Sequence, residues 1–131
     1  MTGEKTEDTN ARPPMWVGHI SMKVPDVAAS KTFLMAMGMR DVEPFEHMAI
    51  LEMRAGTHLI IQAAEDPVEP GTEAPFDLMV DDIDAYRAQL EVAGLNPTEM
   101  ESNPVHKYFF VREPGGHDVL VNSSHNTGLP V

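Results

Sequence analysis

An internal repeat constrains the possible folds of this chain more than any other feature. The segment HISMKVPDVAASKTFLMAMGM, residues 19–39, aligns without a gap to PFDLMVDDIDAYRAQLEVAGL, residues 75–95. The alignment pairs residues of the same type: Val24 with Val80, Asp26 with Asp82, Ala29 with Ala85, Leu34 with Leu90, and Gly38 with Gly94. Self-similarity of this kind indicates two copies of one supersecondary unit, so each copy should contain the same elements in the same order.

The first copy begins with a predicted strand and a predicted helix. Residues 16–24 alternate apolar with small or polar side chains, and a proline ends the strand. Asp26 is placed to cap a helix over residues 27–37, and Gly38 supplies the left-handed conformation that ends it. Because Asp82 matches Asp26, the acidic cluster around Asp82 predicts a second helix cap rather than a metal site.

Three short strands are predicted after the helix of each copy. In the first copy they cover residues 40–45, 47–53 and 58–63. Residues 47–62 also align with residues 106–122 when three residues are inserted. This alignment pairs His47 with His106, Gly56 with Gly115, and His58 with His117. The chain is therefore predicted to be an α+β protein of two tandem βαβββ modules.

The two predicted modules need each other to form a core. A unit of about 50 residues with an open sheet and a single helix cannot bury its apolar face alone. The two copies must therefore close around each other or around the copies of a partner chain. The cleft between them is the natural place for a ligand.

The chain length fits one domain with a flexible start. Residues 1–14 are polar, end in a pair of prolines and lack apolar periodicity, so a flexible leader is predicted there. A single domain is expected over residues 15–131, with modules at about 15–64 and 74–124. The acidic, proline-rich stretch 65–73 is predicted to be a solvated linker.

Composition excludes several classes of function. The chain has no cysteine, which excludes disulfides, thiolate metal sites and cysteine nucleophiles. Its formal net charge of -12 argues against nucleic acid and anionic membranes as partners, because their phosphates carry the same sign. No apolar run approaches the roughly 18 residues of a membrane span, and no signal peptide is recognisable. A soluble, cytoplasmic protein is therefore expected.

Three motifs carry a resemblance to a known family. They are HISMKVPD at residues 19–26, VDDID at residues 80–84 and EPGGH at residues 113–117. Together they resemble the vicinal oxygen chelate superfamily, which includes glyoxalase I, extradiol dioxygenases, fosfomycin-resistance enzymes and bleomycin-binding proteins. The resemblance implies that each βαβββ module curves into half a barrel around a cavity, commonly within a homodimer.

The same resemblance implies positions for metal ligands. Metal-dependent members use His or Glu on the first and last strands of each module. Carried over residue by residue, these positions fall on His19, Ile61, Pro75 and Leu120. Of these four residues only His19 can bind a metal, so a complete site for Zn, Fe, Mn or Ni is not predicted. His19 is kept as a candidate metal ligand, catalytic residue and ligand-binding residue.

The remaining histidines allow more than one interpretation. His58 and His117 each follow a glycine turn and lie three residues from an expected ligand position. Strand alternation places them on the opposite face unless a bulge shifts the register, so a structural role is expected for both. His47 and His106 begin equivalent strands, as rim residues or as site residues, and His125 is expected in a solvated terminal segment.

Other side chains can shape an apolar cavity. Glu52 lies within an apolar strand: facing the cavity it would be a base with a raised pKa, and facing solvent it would be inert. Ten methionines can also line an adaptable apolar pocket. Besides His19, the residues predicted to bind a ligand are Trp16, Phe76, Tyr108, Phe110 and Asn122.

Two functions remain open at this point. The first is a protein, similar to the glyoxalase and bleomycin-resistance proteins, that binds a small organic molecule between the modules without a complete metal site. The second is a metal-dependent enzyme of the lyase, dioxygenase or isomerase type that uses His19 as one ligand. A small-molecule ligand or substrate and a homodimer are expected in either case.

Overall fold

The computed structural model describes residues 10–43, 45–125 and 128–131. Of the predicted leader, residues 1–9 lie outside the described part of the chain, and residues 10–14 contain no helix or strand. The elements are, in order, β1 (His19–Val24), α1 (Val27–Ala36), β2 (Arg40–Asp41), β3 (Met48–Glu52), β4 (His58–Ala63), β5 (Thr72–Val80), α2 (Ile83–Val92), β6 (Glu101–Ser102), β7 (Lys107–Arg112) and β8 (His117–Ser123).

The chain forms two four-stranded sheets, one from each module. The strand order is β1-β4-β3-β2 in the first sheet and β5-β8-β7-β6 in the second. Each sheet is mixed, because its first strand runs parallel to its last strand while the other neighbours are antiparallel. β1 and β5 lie next to each other, so the modules meet at the strands that begin them. The predicted α+β architecture of two βαβββ modules is confirmed.

Each helix begins at the aspartate that the repeat predicted. The Asp26 carboxylate accepts a hydrogen bond from the backbone N–H of Ala29 at 3.1 Å, and the Asp82 carboxylate accepts one from Ala85 at 3.1 Å. These bonds satisfy N–H groups that have no partner within the helix. The glycine after each helix has a positive φ, 117° in the first module and 80° in the second, as the sequence predicted. Neither helix of the described residues is long and apolar enough to cross a membrane.

One face of each sheet packs against helices, and we call the other face the open face. Leu59 and Ile61 of β4, and Val119 and Val121 of β8, are fully buried and share one core with Leu34 of α1. Side chains alternate along a strand, so the residues between these core positions point to the open face. Side chains that can reach a ligand are therefore found on the open faces.

Strand pairing sets limits that differ from the predicted ones. β1 begins at His19, later than predicted, because its partner β4 begins at the directly opposite residue His58. β2 is only Arg40–Asp41, since only these residues pair with β3. β5 begins at Thr72, inside the segment predicted as a linker, because Thr72 and Glu73 pair with the start of β8.

β5 contains an irregularity around Pro75. The register between β5 and β8 shifts between Glu73 and Asp77. A proline has no N–H to donate to a strand ladder, and it is tolerated at bulges and edges rather than within regular pairing. The bulge therefore lies at the position that is least able to pair.

A buried carboxylate joins the two modules. Glu113, in the turn between β7 and β8, has no exposed surface. Its Oε1 accepts hydrogen bonds from the Ser30 hydroxyl of α1 at 2.6 Å and from the Gly115 N–H at 2.8 Å. Its Oε2 accepts from the backbone N–H of His117 at 3.1 Å and from His117 Nδ1 at 2.7 Å. Burial acts to raise the pKa of Glu113, but these hydrogen bonds outweigh burial and the pKa is lowered.

Candidate functional site

Four polar residues form a row across the open face of the first sheet, one from each strand. Arg40 of β2 pairs with Glu52 of β3, Glu52 pairs with His58 of β4, and His58 pairs with His19 of β1. Because residues that lie directly opposite in register point to the same side of a sheet, all four side chains share the open face. We call these four residues the polar row.

The side chains of the polar row are in contact through the carboxylate of Glu52. Arg40 Nε donates to Glu52 Oε1 at 3.0 Å, and Arg40 Nη2 contacts the same oxygen. The other oxygen, Oε2, lies 3.1 Å from His58 Nε2. The rings of His58 and His19 have centroids 5.7 Å apart and planes inclined by 30°. The row therefore connects an arginine, a carboxylate and two imidazoles.

These contacts correct the prediction for Glu52. The residue does face the open side, but its pKa is lowered rather than raised, because hydrogen bonds from Arg40 and then His58 outweigh the effect of burial. A general base is most effective when its pKa lies near the working pH, so a carboxylate with a lowered pKa is a weak base and serves here as a hydrogen-bond acceptor. Glu52 is therefore a hydrogen-bond partner of both Arg40 and His58.

The structure shifts the predicted alignment of the later strands by one residue. Leu51 pairs with Leu59 in the first sheet, and Val111 pairs with Val119 in the second, and all four residues are buried. The turn from Leu51 to Leu59 has the same length as the turn from Val111 to Val119. Each contains a glycine with positive φ, Gly56 at 87° and Gly116 at 115°. The predicted pairs are wrong, and the correct ones are Gly56 with Gly116, His58 with Asp118, and His47 with Lys107.

This one-residue shift reverses the predicted faces of β4. Ile61, predicted to hold a ligand position, is fully buried in the core, and Ile60 faces the open side. His58, predicted to point away from the ligand positions, lies on the open face beside His19. Because strand side chains alternate with a period of two, an error of one residue moves every side chain to the other face.

The equivalent positions in the second sheet carry different chemistry. Pro75 aligns with His19 in the sequence repeat, and Asp118 corresponds to His58. Because of the register shift in β5, the residue paired with Asp118 is Glu73. Asp118 forms an ion pair with Arg112, whose Nε lies 2.8 Å from Asp118 Oδ1. The second sheet therefore has an arginine and a carboxylate where the first sheet has a carboxylate and an imidazole.

The open face of the second sheet brings together three of the predicted ligand-binding residues. Tyr108 pairs with Asn122, and Phe110 pairs with Leu120, so these four side chains share one face. The rings of Tyr108 and Phe110 meet edge to face with centroids 6.1 Å apart. Asn122 Nδ2 donates to Asp77 Oδ2 at 2.8 Å. The result is an aromatic and apolar surface with an amide and a carboxylate beside it.

Two other predicted ligand-binding residues lie elsewhere. Phe76 packs against the core, and it also lines a small cleft together with Asp118 and Leu120 of the second sheet. Trp16 is 65% exposed and precedes β1. Together with Met15, His19 and His58 it lines a shallow pocket of about 410 Å³ at the end of the first sheet. Trp16 is therefore near the polar row and not near the aromatic surface of the second sheet.

The residues present do not fit the divalent-metal site that the resemblance implied. Pro75 and Leu120 offer no donor atom, and Ile61 is in the core. Within residues 10–43, 45–125 and 128–131, no three or more His, Asp or Glu side chains are arranged to hold a metal ion. His19 is left with His58 as its only nearby imidazole in the described chain.

The other histidines differ in their surroundings. His117 has the structural role predicted for it, because it is buried and bonded to Glu113. His47 is exposed and lies 3.2 Å from the carboxylate of the glutamate before it. His106 donates from Nδ1 to a backbone carbonyl of β8 at 2.8 Å, and its ring meets that of His125 edge to face at 5.4 Å. The rings of His47, His106 and His125 are exposed or partly exposed, and none of them is part of the polar row.

Comparisons with known proteins identify the fold through structure rather than sequence. No protein-family model matches the chain, and no curated protein sequence matches it. A lactoylglutathione lyase from Agrobacterium tumefaciens has a TM-score of 0.71 at 17% identity, with 90% of this chain and 100% of that chain covered. The oxidase ChaP-H1 has a TM-score of 0.67 at 19% identity, with 87% and 99% covered. A glyoxalase/bleomycin resistance/dioxygenase protein from Alicyclobacillus acidocaldarius has a TM-score of 0.68 at 14% identity, with 88% and 96% covered.

Proposed function

We propose that this chain, which has the fold of the glyoxalase/bleomycin resistance/dioxygenase proteins, binds a small organic molecule against the open faces of its sheets. In this proposal binding does not depend on a divalent metal ion. The supporting observation is the apolar surface of the open faces, and the polar side chains beside it supply orientation.

Apolar side chains occupy the middle of both open faces. Ile50 pairs with Ile60 on the first sheet, and Phe110 pairs with Leu120 on the second. These four side chains are partly exposed, and Met79 of β5 is 53% exposed. A sheet face turned to water normally carries polar residues, so apolar residues there mark a surface that a ligand or partner covers.

Polar groups flank this apolar surface on both sides. The polar row, with Glu52 and His58 in contact, lies at one end of the first sheet. The Asn122 amide and the Asp77 carboxylate lie on the second sheet. A few fixed polar groups around an apolar surface are typical of small-molecule sites. A lyase and an oxidase among the similar structures support a small molecule as the ligand.

Ligand binding can be tested with Nile red, a neutral apolar dye whose fluorescence rises when it leaves water. Leu120→Gln and Ile60→Gln each place an amide in the apolar surface, and Val92→Gln, at a helix position that is 90% exposed, is the matched control. We expect weaker dye binding, by about tenfold, in the first two variants and unchanged binding in the control. Equal binding in all four proteins would rule out the open faces as the site.

The proposal that binding needs no metal ion rests on the side chains at the expected ligand positions. Pro75 and Leu120 have no donor side chain, and neither has Ile60, which takes the place on the open face that was predicted for Ile61. Protein grown with Zn, Fe, Mn and Ni in the medium and analysed by elemental mass spectrometry is expected to hold well under one equivalent per chain. One equivalent that disappears in His19→Ala would instead support a metal-dependent lyase, dioxygenase or isomerase.

We also propose that the protein is a homodimer. In this proposal a second copy covers the apolar side chains of the open faces that a small ligand leaves exposed. The chain mass is 14.4 kDa, so light scattering should give about twice that mass. A mass equal to that of one chain at all concentrations tested would contradict the dimer and leave the ligand site untouched.

A further inference from the structure

We propose that His58 is a general base that works without a metal ion, held in its reactive form by Glu52 and Arg40. This inference rests on the proposed function, because His58 would act on a molecule bound at the open face of the first sheet. The open faces lack the metal donors that the resemblance implied. The first sheet instead holds the imidazole of His58 in contact with the carboxylate of Glu52.

The hydrogen bond to Glu52 fixes the tautomer of His58. An ionised carboxylate can only accept, so at 3.1 Å from Glu52 Oε2 the Nε2 atom of His58 must carry the proton. In the neutral ring the lone pair is then on Nδ1, which is the atom that can take a proton from a substrate. A carboxylate that orients an imidazole in this way is the arrangement that activates bases in many hydrolases.

Arg40 keeps the carboxylate from taking over the role of the base. Its Nε and Nη2 both contact Glu52 Oε1, so the two oxygens of Glu52 have different partners. The pKa of Glu52 is lowered by these contacts, and the carboxylate stays ionised when His58 gains a proton. Glu52 and Arg40 are therefore positioning residues, and only His58 is assigned as catalytic.

The surroundings of His58 give the site a substrate preference. His58 and His19 line the shallow pocket whose remaining wall includes Trp16 and Met15. An exposed indole and a thioether suit a planar organic molecule. The His19 ring, 5.7 Å from that of His58, can donate a hydrogen bond to an oxygen of the same molecule. The substrate class is thus a planar compound with an acidic C–H next to a carbonyl.

The proposed step is balanced without any further reagent. His58 Nδ1 takes the proton from the carbon, the electron pair of the broken C–H bond forms a C=C bond, and the carbonyl π pair moves to oxygen as an enolate. In a substrate whose α-carbon also bears a C=C bond, this enolate is conjugated, so the protonated His58 returns the proton to the γ-carbon. The oxygen pair then re-forms the carbonyl, and the C=C bond moves into conjugation with it. The product is an isomer of the substrate, so no oxidant, reductant or leaving group is involved.

The base can be tested with 5-nitrobenzisoxazole, a planar aromatic probe that needs only a base. The base removes the C3 proton, the C–H electrons form a nitrile, and the N–O bond breaks to release a coloured phenolate. We expect the protein to exceed an equal concentration of imidazole by about tenfold, a modest part of what a positioned base can supply. His58→Gln should reduce the rate to that of imidazole, and Glu52→Gln should lie between.

His47 provides the matched control for this experiment. It also lies beside a glutamate, at 3.2 Å, but the pair is exposed and is not part of the pocket that His58 lines. His47→Gln should therefore react like the unmodified protein. Equal rates for the unmodified protein and His58→Gln, with both folded by circular dichroism, would overturn the assignment of the base.

A second measurement separates catalysis from a structural role. Long-range ¹H–¹⁵N NMR spectra of the neutral imidazole should show His58 as the Nε2–H tautomer, and Glu52→Gln should mix the two tautomers. An Nδ1–H tautomer in the unmodified protein would reject the proposal. Weaker Nile red binding in Leu120→Gln together with an unchanged rate in His58→Gln would reject only the base. Unchanged Nile red binding in Leu120→Gln together with a lower rate in His58→Gln would reject only the proposed binding surface.

Discussion

Removing the Ser30 hydroxyl should weaken the contact that holds the two modules together. The hydroxyl lies 2.6 Å from Glu113 Oε1, and both residues are fully buried. A hydrogen bond to a charged group contributes about 1.5–3 kcal/mol to the free energy of unfolding. We therefore expect Ser30→Ala to lose about that amount, out of the roughly 5–15 kcal/mol typical of a domain.

Glu113→Gln should cost more than Ser30→Ala. The amide nitrogen of glutamine replaces one carboxylate oxygen, and each oxygen now accepts two hydrogen bonds. Two donors would then face an NH₂ group that cannot accept from them. Two lost bonds to a charged acceptor amount to about 3–6 kcal/mol. The buried donors would also lack water as a substitute partner.

Urea unfolding followed by circular dichroism measures both variants. With a slope of about 1–3 kcal/mol per molar urea, Ser30→Ala should lower the midpoint by about 1 M without changing the slope. Ser21→Ala, at an exposed position on β1, is the control and should change the free energy of unfolding by less than about 0.5 kcal/mol.

Lowering the pH should reduce the difference in the free energy of unfolding between the unmodified protein and Glu113→Gln. Because the pKa of Glu113 is lowered from 4.5 in the folded protein, its stabilisation is fully present above that value. It is lost as the pH falls through the lower, folded pKa. The free-energy difference between the unmodified protein and Glu113→Gln should therefore be constant at neutral pH and narrow below pH 4.5.

A double-mutant cycle gives the result that would refute this reasoning. Two residues that share a buried hydrogen bond should show an interaction energy of about 1 kcal/mol or more. If Ser30→Ala and Glu113→Gln were additive to within about 0.5 kcal/mol, the hydroxyl and the carboxylate would not be coupled. The connection between the modules would then have to lie in apolar contacts alone.

Three further predictions concern the turn, the caps and the core. Gly115→Ala should destabilise by about 1–3 kcal/mol because the added Cβ would lie 2.6 Å from a buried carboxylate oxygen, whereas Gly18→Ala meets nothing within 4 Å and should change the midpoint little. Asp82→Ala should lower the melting temperature through loss of about 1 kcal/mol of helix capping, and an unchanged melting temperature would contradict the cap. Leu34→Ala, at a fully buried position, should cost about 2–5 kcal/mol in urea unfolding, and Met35→Ala on the exposed side of the same helix should cost far less.

The fold was readable from the sequence because its signals are local. The aspartate at the start of each helix and the glycine at its end act on neighbouring backbone groups, so each was placed correctly. The repeat of these signals predicted two equal modules without any knowledge of how the strands pair.

The candidate site was only partly readable. The sequence predicts roles for His19 and Glu52, and both residues lie in the polar row. His58 was assigned to the wrong face because the alignment of the later strands was off by one residue. The apolar runs at residues 59–61 (LII) and 108–111 (YFFV) do not alternate with polar residues, so the pattern could not fix the alignment of these strands to one residue.

The buried Glu113 shows a second limit of the sequence. The motif EPGGH was noted as part of a resemblance, but nothing in its five letters reveals that Ser30, far away in the sequence, donates to its carboxylate. Charged residues are rarely fully buried, so composition favours an exposed glutamate. The signal that was present is the glycine pair beside it, since a side chain at Gly115 would collide with the carboxylate.

The sequence by itself determined two βαβββ modules and their capped helices. These depend on residue identity and on contacts between neighbours along the chain. Only the tertiary structure decided the strand register, the bulge at Pro75 and the assembly of the polar row. Those features come from pairing between distant segments, where a shift of one residue exchanges the core face for the open face.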